Sequence, residues 1–281
     1  MGQSLMPEAG AGRAEAAALR AKLVAEKADA RGPAAAARED AAARAMLACC
    51  EDRDATPEQL ARCCDALEQA SEGAPGWVDA VCMDEHEFFR FLPRTGAHLV
   101  AYAGGSSAAG KIALLARRGA RLTGPLWRQD DFPEEGDDDY EDPWNERLKE
   151  SSGHDKFVTP LYVAVERGNT DVIRALIRAG CSVDGERPLE SGIASPLMWA
   201  ARMVTPCRIA SAEALLGNGA DPNLVERHEA RTVVHATSCP AVAKLLIAMG
   251  ADVRRSSVNW TALQFTPTRA LSDAALRSNR P

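Results

Sequence analysis

Apolar residues recur at helical spacing in short segments of this chain. In the clearest segment, the residues at positions i, i+1, i+4 and i+5 are Val172, Ile173, Leu176 and Ile177. This spacing places them on one face of a helix. Gly180 follows, and glycine commonly ends a helix because it adopts a left-handed conformation easily. The pattern predicts an amphipathic helix whose apolar face must pack against other helices.

A second helix is predicted directly before this one. Thr159 is a suitable N-cap, and Pro160 suits the first helical position, where its missing N–H costs no hydrogen bond. Gly168 ends this helix, while Ala164 and Val165 are small enough for adjacent helices to approach closely. The unit is therefore helix, turn, helix. Because one such unit cannot bury its own apolar face, several of them must stack.

The same unit recurs along the chain. Its openings start at Thr159, Ser195, Thr232 and Thr261, which are spaced 36, 37 and 29 residues apart. After the opening, the copies carry an apolar segment and a Gly-containing turn. The matching stretches are 159–164 with 172–180, 195–201 with 214–223, 232–236 with 242–253, and 261–264.

These stretches resemble the ankyrin repeat family, whose pattern is a T-P-L-H-x-A-A opening, an apolar V-x-L-L-L segment and a G-A-D-V-N turn. The resemblance covers residues 159–263, and further copies are predicted at 96–122 and, in degenerate form, at 41–67. It implies an all-α, helix-turn-helix solenoid that binds another protein. The repeats are imperfect. Tyr162, Met198 and Gln264 stand in the place of the family's His, and only His235 keeps that residue.

Composition and the resemblance together divide the chain into five segments. We expect an all-α solenoid of imperfect repeats, with a flexible N-terminal arm and an acidic insertion. The predicted segments are an Ala-rich, partly helical or disordered arm (1–40), a divergent helical segment resembling a degenerate repeat (41–95), a first ankyrin repeat (96–128), an acidic, disordered insertion (129–155), and ankyrin repeats with a truncated C-terminal cap (156–281).

The net charge and its distribution along the chain limit the kinds of partner that we expect. The formal net charge is −7, and nine carboxylates with no Lys or Arg lie between Asp130 and Asp142, so the remainder sums to about +2. Broad affinity for nucleic acid requires clustered cations and is not expected. The acidic segment is predicted to be a solvated loop that attracts a basic partner or covers a basic face. Pro133 stands where a calcium loop needs a ligand, which argues against calcium binding.

Eight cysteines raise the question of disulfides and metal. No N-terminal segment reads as a secretory signal, and no apolar run reaches the ~18–20 residues of a membrane span. We therefore expect reduced thiols in a cytosolic or nuclear protein. Cys49-Cys50 and Cys63-Cys64, followed by Cys82 and His86, suggest zinc. However, adjacent residues on a helix point about 100° apart, which favours packing between helices over ligation.

Catalytic motifs are not found. The five histidines lack H-E-x-x-H spacing, and no G-x-S-x-G elbow occurs. Gly105, Gly110 and Lys111 have the spacing of a phosphate loop, but Ile112 replaces the Ser or Thr that would hold magnesium. We expect no enzyme, no metal and no cofactor. The alternative is a zinc- or nucleotide-dependent protein centred on 41–111, with the repeats as a targeting appendage.

The resemblance also implies where a partner would bind. In ankyrin repeats, contacts lie on the hairpin tips and on the concave side of the first helices. Trp260 is also open to a second interpretation, as a cover for the core of the last repeat. Carried over copy by copy, the implied contact residues are Lys156, Val158, Glu166, Arg167, Arg202, Met203, Arg231 and Trp260.

Overall fold

The structure is a computed structural model, and the chain forms two compact units, Met1–Ala120 and Arg121–Pro281. In its described part, regular structure is almost entirely α-helical, which confirms the predicted fold class. None of these helices is long and apolar enough to cross a membrane. The described residues are 25, 31–74, 76–79, 81–82, 94–123, 159–185, 195–202, 206–225, 232–237 and 239–253.

The first unit is built from packed helical pairs. Its elements are α1 (Pro33–Glu51), α2 (Pro57–Ala70), β1 (Val81–Cys82), β2 (Arg94–Thr95), α3 (Gly96–Ala103) and α4 (Ala108–Arg117). Helix α1 packs against α2 and α3, and α4 packs against α2 and α3. A short 3₁₀ turn at Trp77–Asp79 precedes a two-residue antiparallel pairing of β1 with β2.

Capping side chains set where α2 and α3 begin. The Thr56 hydroxyl accepts a hydrogen bond from the Gln59 N–H (3.3 Å), and the Gln59 side chain accepts one from the Thr56 N–H (2.6 Å). At α3, the Thr95 N–H donates to Nδ1 of His98 (3.4 Å), and its hydroxyl lies 2.9 Å from the same nitrogen. His98 thus occupies the position of the family's His relative to Thr95. The interpretation that only His235 keeps this residue was therefore wrong.

The second unit has two layers of helices. The helices are α5 (Pro160–Arg167), α6 (Thr170–Arg178), α7 (Pro196–Arg202), α8 (Pro206–Gly217), α9 (Val233–Ala236) and α10 (Pro240–Ala248). The first helices of the helical pairs, α5, α7 and α9, begin directly after the predicted openings and lie side by side. The second helices, α6, α8 and α10, form the layer behind them.

The predicted apolar face of α6 forms the core of this unit. Val172, Ile173 and Leu176 are at most 1% exposed, while Ile177 is only half-buried. Each buried leucine or isoleucine side chain contributes roughly 1.5–3 kcal/mol through removal of apolar area from water. Ser211 of α8 also donates a buried hydrogen bond (2.9 Å) to a backbone carbonyl of α5. Consecutive hairpins are therefore joined by both apolar packing and a polar contact.

The ends of α5 and α7 differ from the sequence prediction in one detail. Thr159 occupies the N-cap position of α5, but its side chain makes no capping hydrogen bond. The Ser195 hydroxyl does cap α7, since it accepts a bond from the Met198 N–H (3.2 Å). Gly168 ends α5 in the left-handed conformation, as predicted. Pro160, which needs no N–H partner, compensates in part for the missing cap at Thr159.

A buried lysine holds the first unit together. Lys111 of α4 is 1% exposed, and its ammonium donates to the carbonyls of Cys49 (3.0 Å) and Asp52 at the end of α1. The last carbonyls of a helix have no partner within it, and a cation there also opposes the helix dipole. Lys111 therefore provides hydrogen-bond donors for the carbonyl groups at the C-terminal end of α1.

Replacing Lys111 tests this role. The Lys111→Met variant keeps the aliphatic stem but takes the donor from the partly buried carbonyls of Cys49 and Asp52. Its free energy of unfolding should therefore fall by about 2 kcal/mol. The matched control is Lys244→Met in α10, where the lysine is exposed and the change should stay within about 0.5 kcal/mol. Urea titration followed by circular dichroism measures both. Equal stability of the two variants would contradict the assignment.

Candidate functional site

The first helices of the second unit carry a surface that combines an aromatic ring with charged groups. We call the surface formed by Glu166, Arg167, Trp199 and Arg202 the first-helix face. Glu166 and Arg167 are the last residues of α5, and Trp199 and Arg202 belong to α7. Because α5 and α7 pack side by side, residues from two consecutive hairpins meet here.

A hydrogen bond between side chains connects the two helices on this face. The indole N–H of Trp199 donates to a carboxylate oxygen of Glu166 at 2.5 Å, and both side chains are half-buried. Hydrogen bonds to a charged acceptor are shorter and stronger than neutral ones. The bond therefore holds the indole in one orientation, with part of its ring exposed to solvent.

Trp199 is not among the contact residues predicted from the sequence. It occupies the variable fifth position of the opening Ser195–Trp199, where the family pattern requires no particular residue. A large aromatic residue at such a position was the available signal, because tryptophan is frequent among residues that dominate protein interfaces. Its partner Glu166 was on the predicted list, but the cross-helix bond between them requires the packing of α5 on α7.

The structure places three of the eight predicted contact residues. Glu166 is half-buried and bonded to Trp199, and Arg167 and Arg202 are exposed at the ends of α5 and α7. The other residues lie outside the described part of the chain, so their roles stay predictions; they are Lys156, Val158, Met203, Arg231 and Trp260. The acidic insertion, 129–155, also lies outside the described residues.

We call the turns that follow the second helices α6, α8 and α10 the hairpin tips of the second unit. Side chains of these turns form hydrogen bonds from one tip to the next. The Asp184 carboxylate accepts a bond from the Asp221 N–H (2.9 Å). The Asn223 side chain accepts from the Asp252 N–H (2.7 Å) and donates to the Gly250 carbonyl (3.0 Å). Asp and Asn side chains thus connect the turns of successive repeats. In these repeats Tyr162 of α5 and Met198 of α7 replace the family's His.

Tyr162 occupies the family's His position in α5. Burial raises the pKa of Tyr162 well above its ordinary value, so the phenol stays neutral at physiological pH. Its hydroxyl faces Gly185, where an added Cβ would lie 3.4 Å away, and the same Cβ would lie 3.2 Å from Pro196. Gly185 also has a positive φ of 88°, and glycine adopts such a conformation without strain.

The phosphate-loop spacing of Gly105, Gly110 and Lys111 has a structural explanation. A Cβ on Gly105 would lie 2.9 Å from the Arg53 carbonyl oxygen, and one on Gly110 would lie 2.8 Å from the Pro57 ring. These glycines let the α3–α4 segment approach the α1–α2 turn. The Lys111 ammonium is bonded to carbonyls of α1 and its following residue. The lysine of the nucleotide hypothesis therefore has a structural function.

The four cysteines of α1 and α2 that suggested a zinc site differ in how far they are buried. Cys50 and Cys64 are fully buried, whereas Cys49 and Cys63 are half-buried. Burial raises the pKa of Cys64 to about 11, so its thiol stays protonated at neutral pH. Within the described ranges, no group of three or more His, Cys, Asp or Glu is arranged to hold a metal ion. The side chains of Cys82 and His86 lie outside those ranges.

Comparisons of the sequence and of the structure with known proteins support the helix-turn-helix units described above. Residues 145–226 match the sequence profile for ankyrin repeats in three copies. This segment of the chain is similar to ankyrin repeats. The structure is also similar to the human ASB11 ankyrin repeat domain, with a TM-score of 0.50 and 20% identity over 82% of this chain and 83% of that one. At this identity, the likeness shows the ankyrin repeat fold. No curated protein sequence matches the chain.

The Glu166–Trp199 bond gives a test of the geometry between ankyrin repeats. In a double-mutant cycle with Glu166→Ala and Trp199→Phe, unfolding free energies should reveal a coupling of about 1 kcal/mol. Phenylalanine keeps an aromatic ring and removes the N–H donor.

The exposed Asp171–Arg174 pair within α6 is the control for this cycle. Its coupling should be much smaller, because solvent screens the charges. If the Glu166–Trp199 coupling is no larger than that of the control, the two side chains do not form the bond in solution.

Proposed function

We propose that this chain is a non-catalytic protein-binding module that holds its partner through the hairpin tips and the first-helix face of the second unit. Ankyrin repeats are, in general, protein–protein interaction modules. The observation that carries the proposal is Trp199, held by Glu166 between the exposed ends of α5 and α7. An orientated, partly exposed indole is a typical interface anchor because it contributes a large contact area at low entropic cost.

The charges of the proposed site favour an acidic partner. Four of the eight predicted contact residues are cations, namely Lys156, Arg167, Arg202 and Arg231. On the first-helix face the single carboxylate, Glu166, is already bonded to the indole, and the carboxylates of Asp184, Asp221 and Asp252 lie on the hairpin tips. A partner segment with carboxylates or phosphorylated side chains would complement this surface, and such complementarity chiefly increases the association rate. We propose that the partner presents an acidic segment to the first-helix face.

The alternative, a zinc- or nucleotide-dependent protein centred on 41–111, receives less support. Lys111, its proposed phosphate ligand, is buried and bonded to carbonyls at the end of α1. Gly105 and Gly110 are accounted for by close contact with the neighbouring turn. We therefore base the proposed function on the repeats rather than on this segment.

A charge-reversal pair tests the site. The variant with Arg167→Glu and Arg202→Glu should weaken partner binding by about tenfold or more, because both exposed guanidiniums become carboxylates. The control variant carries Arg117→Glu and Arg178→Glu, which reverse exposed arginines on the second helices α4 and α6. It has the same net charge and should retain the partner. Circular dichroism must first show that both variants remain folded.

Affinity capture from a native lysate, followed by calorimetry with the recovered partner at two salt concentrations, measures the effect. The account predicts that the wild-type affinity falls as salt rises, and that this dependence is weaker in the Arg167 and Arg202 variant. Equal affinity of wild type and both variants would place the site elsewhere, on the acidic insertion or the N-terminal arm.

A further inference from the structure

The hairpin tips of the second unit lie against the N-terminal ends of its first helices. A Cβ on Gly185, in the tip that follows α6, would lie 3.2 Å from the Pro196 ring and 3.4 Å from the Tyr162 hydroxyl. Pro196 is the first residue of α7, and Tyr162 is the third residue of α5. Arg167 and Arg202 are the last residues of the same two helices. The tips and the two arginines therefore lie toward opposite ends of α5 and α7.

The tips carry negative charge. Asp184, Asp221 and Asp252 occupy the turns after α6, α8 and α10, and both Asp221 and Asp252 are exposed. The Asp184 carboxylate accepts a hydrogen bond from the Asp221 N–H (2.9 Å), and the Asp221 carboxylate accepts one from the Asn223 N–H (2.8 Å). An amide N–H has no net charge, so these bonds fix the carboxylates of Asp184 and Asp221 in place and leave them negative.

The opposite end of the first helices carries positive charge. Arg167 and Arg202 are exposed in the last turns of α5 and α7, where a cation also complements the helix dipole. The Glu166 carboxylate on this face accepts the indole N–H. Asp171, in the first turn of α6, forms an ion pair with Arg174 of the same helix (3.0 Å). The two arginines therefore give this end a positive charge.

The Trp199 indole lies between the two charged ends. Trp199 is the fourth of the seven residues of α7, and a helix of that length is about 10 Å long. An extended peptide advances about 3.3 Å per residue, so about three residues cover this length. A short partner segment can therefore contact the tips, the indole and the arginines together.

Charge complementarity limits the partner segment to one pattern. A uniformly acidic segment is attracted by Arg167 and Arg202 but repelled by the aspartates of the tips, and a uniformly basic segment meets the reverse. Juxtaposed like charges lower the affinity for such segments and so contribute to specificity. A segment whose two ends carry opposite charges complements both ends of this surface.

We propose that the partner segment is bipolar, with basic residues against the hairpin tips, an apolar residue against Trp199 and acidic residues against Arg167 and Arg202. The inference rests on the proposed function, which supplies the acidic contact, and it adds the basic contact at the tips. The segment lies along the first helices, because its charges must reach both ends.

Three synthetic peptides of equal length test the proposal with the full-length protein. The bipolar peptide has three glutamates, then three leucines, then three lysines. The interleaved peptide has the same composition with glutamate and lysine alternating, and the acidic peptide has glutamate in place of each lysine. Fluorescence anisotropy of labelled peptides measures the affinities at low salt, where screening is weak. The wild type should bind the bipolar peptide about tenfold more tightly than either of the others.

A tip variant removes the negative charges without removing the hydrogen bonds. It combines Asp184→Asn, Asp221→Asn and Asp252→Asn, whose amide oxygens can still accept the bonds of the turns. This variant should lose the preference for the bipolar peptide over the acidic peptide. The control variant neutralises three exposed carboxylates outside the tips and should keep the wild-type preference. It carries Asp54→Asn, Glu72→Gln and Glu213→Gln, and circular dichroism must show that both variants remain folded.

The outcomes separate this inference from the proposed function. If the wild type binds the acidic peptide as tightly as the bipolar one, the inference is overturned, while the proposed acidic contact stands. The same holds if the tip variant keeps the wild-type preference. If the wild type binds none of the peptides, the surface does not recognise charge at its two ends, and the inference is again overturned. If Arg167→Glu with Arg202→Glu binds the bipolar peptide like the wild type, the first-helix face is not the site and the proposed function itself fails.

Discussion

The structure of the second unit depends on one constraint, which is that no single helical pair can bury its own apolar face. Ile173 and Leu176 of α6 are fully buried, and α6 packs both against α5 of its own pair and against α8 of the next. The hydrogen bond from Ser211 to the Val165 carbonyl adds a directional contact between the same hairpins. Stability in such an array is the sum of terms within repeats and terms between neighbours. A change in one hairpin must therefore affect the next.

The same constraint produces a surface suited to binding. Stacking places the ends of α5 and α7 side by side, which allows the Trp199 indole to bond to Glu166 and leaves Arg167 and Arg202 exposed. Arg167 and Arg202 on this surface are exposed and lie outside the apolar core. The proposed partner site can therefore vary in sequence while the fold is kept, as expected for a scaffold whose function lies in grafted surface residues.

Sequence patterns predicted the helical units because helix periodicity and turn residues are local properties. The apolar spacing of Val172 to Ile177 and the turn at Gly168 were both readable in this way. Contacts between helices could not be predicted from these local patterns. The bond from Trp199 to Glu166 and the burial of Lys111 against α1 both join residues that are distant in sequence. Such pairings require the packing of helices, which periodicity alone does not specify.

Hydrogen exchange of the full-length protein carrying Ile173→Ala tests the central claim most directly. This substitution removes a fully buried side chain from α6 and should cost about 2–5 kcal/mol of local stability. If neighbouring repeats stabilise each other, amide protection should fall in α8 of the next hairpin as well as in α5 and α6. Loss of protection confined to α5 and α6, with α8 unchanged, would contradict the account.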